Sequence, residues 1–188
     1  MIRFARKEDA PIIAPLILVI LRDMELEVLD SVSEEELLTL LSEAMMEPDY
    51  RYGYIRGLVY EHEGEVAGAA FGYSAEDEAL VDEPLKRVLK KHGFDENIEL
   101  FKDDETLPNE WYLDSISVDP KYRGMGIGSK LLDALPQIAK REGKNLIGLS
   151  VDKNNPEAKR LYERKGFKDV EERMISGHLY DHMQKEID

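Results

Sequence analysis

The chain has no cysteine. Disulfides, thiolate metal ligands and thiol nucleophiles are therefore excluded, and a reducing compartment suits the composition. Long hydrophobic runs are also missing. The most apolar stretch, residues 12–21, carries Pro15 and is about half the length that a membrane span needs. Basic residues precede it as in a secretory leader. However, Glu8 and Asp9 interrupt that flank, and RDMELE follows where small cleavage-site residues belong. The stretch reads as a buried helix, so the expectation is a cytoplasmic protein with no membrane partner. Positive charge is scarce as well. Lys and Arg number 25 against 40 Asp and Glu, for a formal net charge of −15. Nonspecific nucleic-acid binding needs basic surface and is excluded as a function.

What remains is an ordinary globular composition, 43% hydrophobic and 35% charged over 188 residues. That length suits a single domain, 1–188, with a substantial core, as a monomer or homodimer. Asp9 is placed to cap a helix running towards Asp23. Ser33, with Glu36 three residues on, forms a capping box for a second helix, with Leu37, Leu38, Leu40 and Leu41 as its buried side. Residues 58–62 and 66–73 flank Glu63-Gly64-Glu65 as a hairpin. Residues 74–110 form a longer acidic insertion, within which Val81, Leu85, Val88, Leu89 and His92 keep helical spacing up to Gly93. After Phe167 the pattern alternates, turns near Ser176-Gly177 and resumes, predicting a closing hairpin. Interleaved strands and helices make the class α/β with a mixed sheet.

Chemistry concentrates between Trp111 and Lys168. A strand-like run ending at Val118 leads through a short loop to Arg123-Gly124-Met125-Gly126-Ile127-Gly128-Ser129, which opens a helical pattern. Glycines at a helix N-terminus leave N–H groups uncovered where the helix dipole favours anions, which makes a phosphate site. The charge distribution agrees. Residues 121–168 hold twelve Lys/Arg against five Asp/Glu, a local net of +7 that leaves −22 for the remainder.

Three rival motifs fail. A dinucleotide fingerprint needs a third glycine where Ser129 stands, and its glycines follow the strand directly. A Walker loop needs the order G-K-[ST], which Gly128-Ser129-Lys130 lacks. A nucleophile elbow at Gly148-Leu149-Ser150-Val151-Asp152 lacks its second glycine. His178 and His182 would sit about 13 Å apart on a strand, too far to share a metal, so no metal site is expected.

Two motifs do fit, in order and with strands before and between them. R-x-x-G-x-G is filled by Arg123, Gly126 and Gly128. N-x-x-A-x-x-x-Y-x-x-x-G-F is filled by Asn155, Ala158, Tyr162, Gly166 and Phe167. Together they resemble the GNAT superfamily of N-acetyltransferases over about Trp111 to Phe167, and IRFARKEDAPIIAPL is similar to that family's first strand and helix. Two departures stand out: the long 74–110 segment, and Pro136 inside the helix after the loop, where it should kink the helix.

The resemblance implies a three-layer α/β/α fold with a central mixed, mostly antiparallel sheet. It also implies acetyl-CoA as co-substrate, no metal, and direct transfer to a primary amine of a small molecule, peptide or protein. By that resemblance the Arg123–Ser129 loop holds the pyrophosphate, Ile116, Ser117 and Val118 pair with the pantetheine arm, and Asn155 contacts it. Tyr162 corresponds to the general acid, and a phenol of pKa about 10 does stay protonated at neutral pH. Asp114 is the candidate base or water-orienting group, with Tyr112 on the same strand face and Glu61 and Glu63 as weaker alternatives. A catalytically silent acyl-CoA-binding or sensing module is the competing function. The acidic remainder of the chain favours a cationic acceptor.

Overall fold

Consecutive strand residues point to opposite sides of a sheet, and in this chain both sides are apolar. Leu58, Ala67 and Ala70 enter one core cluster while Val59, Val66, Ala69 and Phe71 enter another. Such strands must be covered by helices on both faces. In the computed structural model, which describes residues 1–188, they are.

The strands are β1 (Ile2–Phe4), β2 (Gly57–His62), β3 (Glu65–Ser74), β4 (Trp111–Val118), β5 (Leu146–Asp152), β6 (Lys168–Ile175) and β7 (His178–Glu186). They form one sheet in the order β1-β2-β3-β4-β5-β7-β6. Only β4 and β5 pair in parallel; the other neighbours are antiparallel. Helices α1 (Ala10–Asp23), α2 (Glu34–Met45) and α3 (Glu83–Lys91) pack on one face. Helices α4 (Ile127–Arg141) and α5 (Pro156–Arg164) pack on the other. This is the expected three-layer α/β/α architecture.

Local signals account for most element ends. The Ser33–Glu36 capping box forms in both directions at α2. The hairpins turn at Glu63-Gly64 and Ser176-Gly177, where all four residues have positive φ, as tight turns require. Gly93 lies just beyond α3, also with positive φ. Three details differ from expectation. Asp9 does not cap α1 with its side chain; its carboxylate takes the Arg6 N–H and both arms of Arg3. The 12–21 stretch is not wholly buried, since Ile12 and Val19 are about half exposed while Ile13, Ile17 and Leu21 fill the core. Leu38 is half-buried, whereas Leu37, Leu40 and Leu41 are buried. α4 continues through Pro136, as expected of a proline inside the helix, and Leu131, Leu132, Leu135, Ile138 and Ala139 hold both sides of it in the core. No helix is long and apolar enough to cross a membrane.

Candidate active site

The parallel pair opens the molecule. β4 pairs with β5 only from Trp111 to Leu113, while its pairing with β3 continues to Val118. The edge of β4 facing β5 is therefore unpaired from Asp114 onward. The register with β3 also slips, Phe71 opposing Ser115 and Gly72 opposing Leu113. Asp114 is thus the extra residue of a bulge, a device that re-aims a side chain. Where the two strands part lies a cavity of about 170 Å³ whose lining includes Glu105, Asp114, Ser115, Ile116, Ser150 and Tyr162.

At the far end of β4 a short 3₁₀ turn (Pro120–Tyr122) delivers the glycine loop. Gly124 and Gly126 have φ of +81° and +72°, and a Cβ on either would meet nothing within 4 Å. Glycine is required there by backbone conformation rather than crowding, and the surface above stays open. Gly126 is the N-cap of α4 and offers no side-chain cap, so the first N–H groups of the helix lack a partner from the cap residue. Arg123 and Met125 are exposed, whereas the Ile127 side chain turns into the core and leaves only its backbone to the loop.

Asn155 caps α5, its Oδ1 accepting from Ala158 N–H at 3.1 Å, which leaves the side-chain NH₂ free of that duty. About two turns on, Tyr162 packs edge-on against Phe167 with centroids 6.1 Å apart. Burial pushes its phenol up to about 12, so it is protonated throughout the neutral range. The N-Y-F motif thus unites a helix cap, a cavity-facing phenol and the aromatic that seats it.

Asp114 does not stand alone. Its side chain is 4% exposed and forms an ion pair with Arg51. Arg51 is itself buried. It grips Asp82 with a two-pronged contact at 3.0 and 2.9 Å, and reaches Glu105 at 3.2 Å and the Tyr73 hydroxyl at 3.0 Å. Three carboxyls thus share one guanidinium. Burial raises the Asp114 carboxyl more than Arg51 lowers it. Burial, with Asp114 nearby, pushes Glu105 up to about 8. The loop carrying Glu105 is pinned by Glu78, which accepts the N–H groups of Glu105 and Thr106, and by Arg173, which donates to the Asp104 and Thr106 carbonyls. Glu61 pairs instead with Arg3 and Glu63 occupies the β2–β3 turn; neither lines the cavity.

Sequence reasoning missed Arg51 and took Glu105 only as one of the acids of the 74–110 segment. The available signal was a basic residue inside Tyr50-Arg51-Tyr52, where a buried arginine between aromatics calls for carboxylate partners from elsewhere.

The model of the Acetyltransferase (GNAT) family matches residues 21–167, well over half of the chain. The protein belongs to the GNAT acetyltransferase family. A crystal structure of an acetyltransferase is 64% identical over the full length of both chains, with a TM-score of 0.94. Shorter matches are 39% identical. One is bovine (Bos taurus) thialysine N-epsilon-acetyltransferase over 61 residues, 32% of this chain and 36% of that protein. Another is Bacillus subtilis spermine/spermidine N(1)-acetyltransferase over 66 residues, 35% of this chain and 43% of that protein. The chain thus spans less than half the length of these two GNAT relatives.

Proposed function

We propose that this GNAT protein is an acetyl-CoA-dependent N-acetyltransferase that passes the acetyl group directly to a primary amine, with a cationic amine preferred. One observation carries the reading: a single cavity joins an unpaired strand edge, a protonated phenol and a group of carboxyls. The unpaired edge of Ile116, Ser117 and Val118 suits a strand-like pantetheine arm. The open backbone of Arg123, Gly124, Met125, Gly126, Ile127, Gly128 and Ser129 suits a pyrophosphate. The free NH₂ of Asn155 suits a pantetheine carbonyl. Acetyl-CoA, when bound, supplies the activated acyl group.

Tyr162 would then protonate the leaving thiolate, because a phenol held above its usual pKa keeps its proton until a strong base appears beside it. Asp114, tied to Arg51, would serve as the orienting carboxylate for the acceptor or for a water. Glu105, protonated near neutral pH before an acceptor binds, would give up its proton beside a bound ammonium and then pair with it. A relative named for spermine and spermidine supports a polyamine-like acceptor. The cysteine-free composition supports a cytoplasmic setting.

The test is acetyl-CoA consumption across a panel of amines: polyamines, amino-acid derivatives, amine antibiotics and peptides, with a no-acceptor control. Turnover with at least one cationic amine is expected. Binding of acetyl-CoA with no turnover of any amine would favour the silent acyl-CoA-binding module instead.

A further inference from the structure

Ser150 lines the cavity, and behind it lies a buried polar network that the chemistry above does not use. His182, on β7, is fully buried, and its two ring nitrogens face different partners. Nε2 lies 3.0 Å from Glu110 Oε2 and Nδ1 lies 3.4 Å from Ser150 Oγ. Glu110, also fully buried, accepts the Leu107 N–H at 2.9 Å and the Gln184 side-chain N–H at 2.7 Å. With other donors converging on this carboxyl, it acts as an acceptor towards His182 as well. Nε2 then carries the hydrogen, and the lone pair of Nδ1 is left for the Ser150 hydroxyl.

The arrangement is specifically accommodated. A Cβ on Gly148 would fall inside the Glu110 carboxyl, so this carboxyl has its place because residue 148 has no side chain. The Tyr112 ring stacks on the imidazole at 5.9 Å and 16° and fixes its plane. Glu171, the cross-strand partner of His182, is exposed. A histidine retained only for packing could end its polar contacts at Glu110. Here its second nitrogen faces a hydroxyl that lines the same cavity as Asp114, Glu105 and Tyr162.

We propose that Ser150 is a catalytic residue that takes the proton from the acceptor ammonium, and that His182 and Glu110 are positioning residues that act through it. The proposal rests on the acetyltransferase reading and names its proton route. One ammonium proton passes to Ser150 Oγ as the Ser150 proton moves to His182 Nδ1. The resulting imidazolium keeps its Nε2–H on Glu110. The freed amine lone pair forms the C–N bond, and the C–S bond of the thioester breaks. The second amine proton reaches the sulfur through Tyr162. His182 returns its proton through Ser150 to solvent as product leaves. The net result is amide, thiol and one released proton.

Steady-state kinetics of the full chain, using an amine that the panel identifies, test this. Ser150→Ala should lower kcat about 10²-fold, the low end of general acid–base effects, with the KM for acetyl-CoA within about twofold of the parent. Ser150→Thr, which keeps the hydroxyl and suits a strand, should restore most of the rate. His182→Gln can still donate to Glu110 but cannot take a proton, and should match Ser150→Ala. The double variant should be no slower than either single one, since the two residues act as a unit. If His182→Gln fails to fold, the Ala and Thr pair at position 150 decides. Parent-like kcat in Ser150→Ala, or losses that multiply in the double variant, would overturn the relay and leave the acetyltransferase reading intact. Acetylated Ser150 in an intact mass spectrum with acetyl-CoA alone would also overturn it, by making Ser150 a nucleophile. Turnover of no amine at all would overturn both.

Discussion

Tyr162 and Glu105 are the residues whose protonation the fold alters most usefully. Tyr162→Phe keeps the ring against Phe167 and removes only the proton donor. The expected result is a kcat loss of roughly 10²–10⁴-fold with acetyl-CoA affinity nearly unchanged, read by steady-state kinetics and ligand titration. An unaltered kcat would assign the leaving-group proton elsewhere. Glu105 carries a sign that can be worked through. Its folded value, about 8, lies above the usual glutamate value of 4.5, so between those limits the folded chain holds a proton that the unfolded chain has lost. Stability should therefore decline as pH rises through that window, and denaturant titrations of Glu105→Gln should show a shallower decline. A bound ammonium favours the ionised carboxylate. The KM of a cationic acceptor should accordingly fall as pH rises from about 6.5 to 8.5 in the parent, and stay flatter in Glu105→Gln. At this scale the motif residues were legible from the sequence, because Tyr162 and Asn155 keep fixed spacing on one helix. Arg51, Glu105, Ser150 and His182 were not, since their meaning lies in partners tens of residues away.

The element that matters most for cofactor binding is the N-terminus of α4, where Gly126 sets a left-handed entry and leaves N–H groups exposed. Acetyl-CoA at about 100 times its Kd should raise the melting temperature by roughly 5–10 °C. Gly126→Val should abolish that shift. Gly143, just past the other end of α4, has φ of +73° and equally open surroundings. Gly143→Val should cost comparable backbone strain while keeping the acetyl-CoA shift, which separates lost binding from lost stability. If both variants kept the shift, the phosphate assignment would fail. Element ends were read well where a local rule governs them, as at Ser33–Glu36. They were read less well at Asp9, because a distant arginine, Arg3, competes for the carboxylate that would have capped the helix.

On the scale of the molecule, charge is divided between a basic stretch around the glycine loop and an acidic remainder. The 74–110 segment shows two behaviours. Glu105 is drawn inward by Arg51, while Asp95, Glu96, Asp103 and Asp104 stay exposed. Replacing those four by Asn or Gln should raise the KM of a cationic acceptor, more at low than at high ionic strength, because the attraction they exert on it acts at long range. The KM for acetyl-CoA should hardly change. If both KM values were insensitive to salt and to the substitutions, the exposed acids would have no part in recognition.

Family, layer order and the glycine loop were determined by the sequence itself, because each rests on short-range regularities: strand alternation, helical spacing, glycine placement and two motifs within sixty residues. Tertiary structure decided how β4 and β5 part, and so which side chains meet there. The bulge at Asp114 arises from cross-strand register with β3, which no local pattern encodes. The partner of Asp114 is Arg51, whose other carboxyl partners come from the 74–110 segment, and the partners of His182 come from residues 110 and 150. Buried charges and hydroxyls find partners wherever the chain returns to the same point, and that return is a property of the packed molecule.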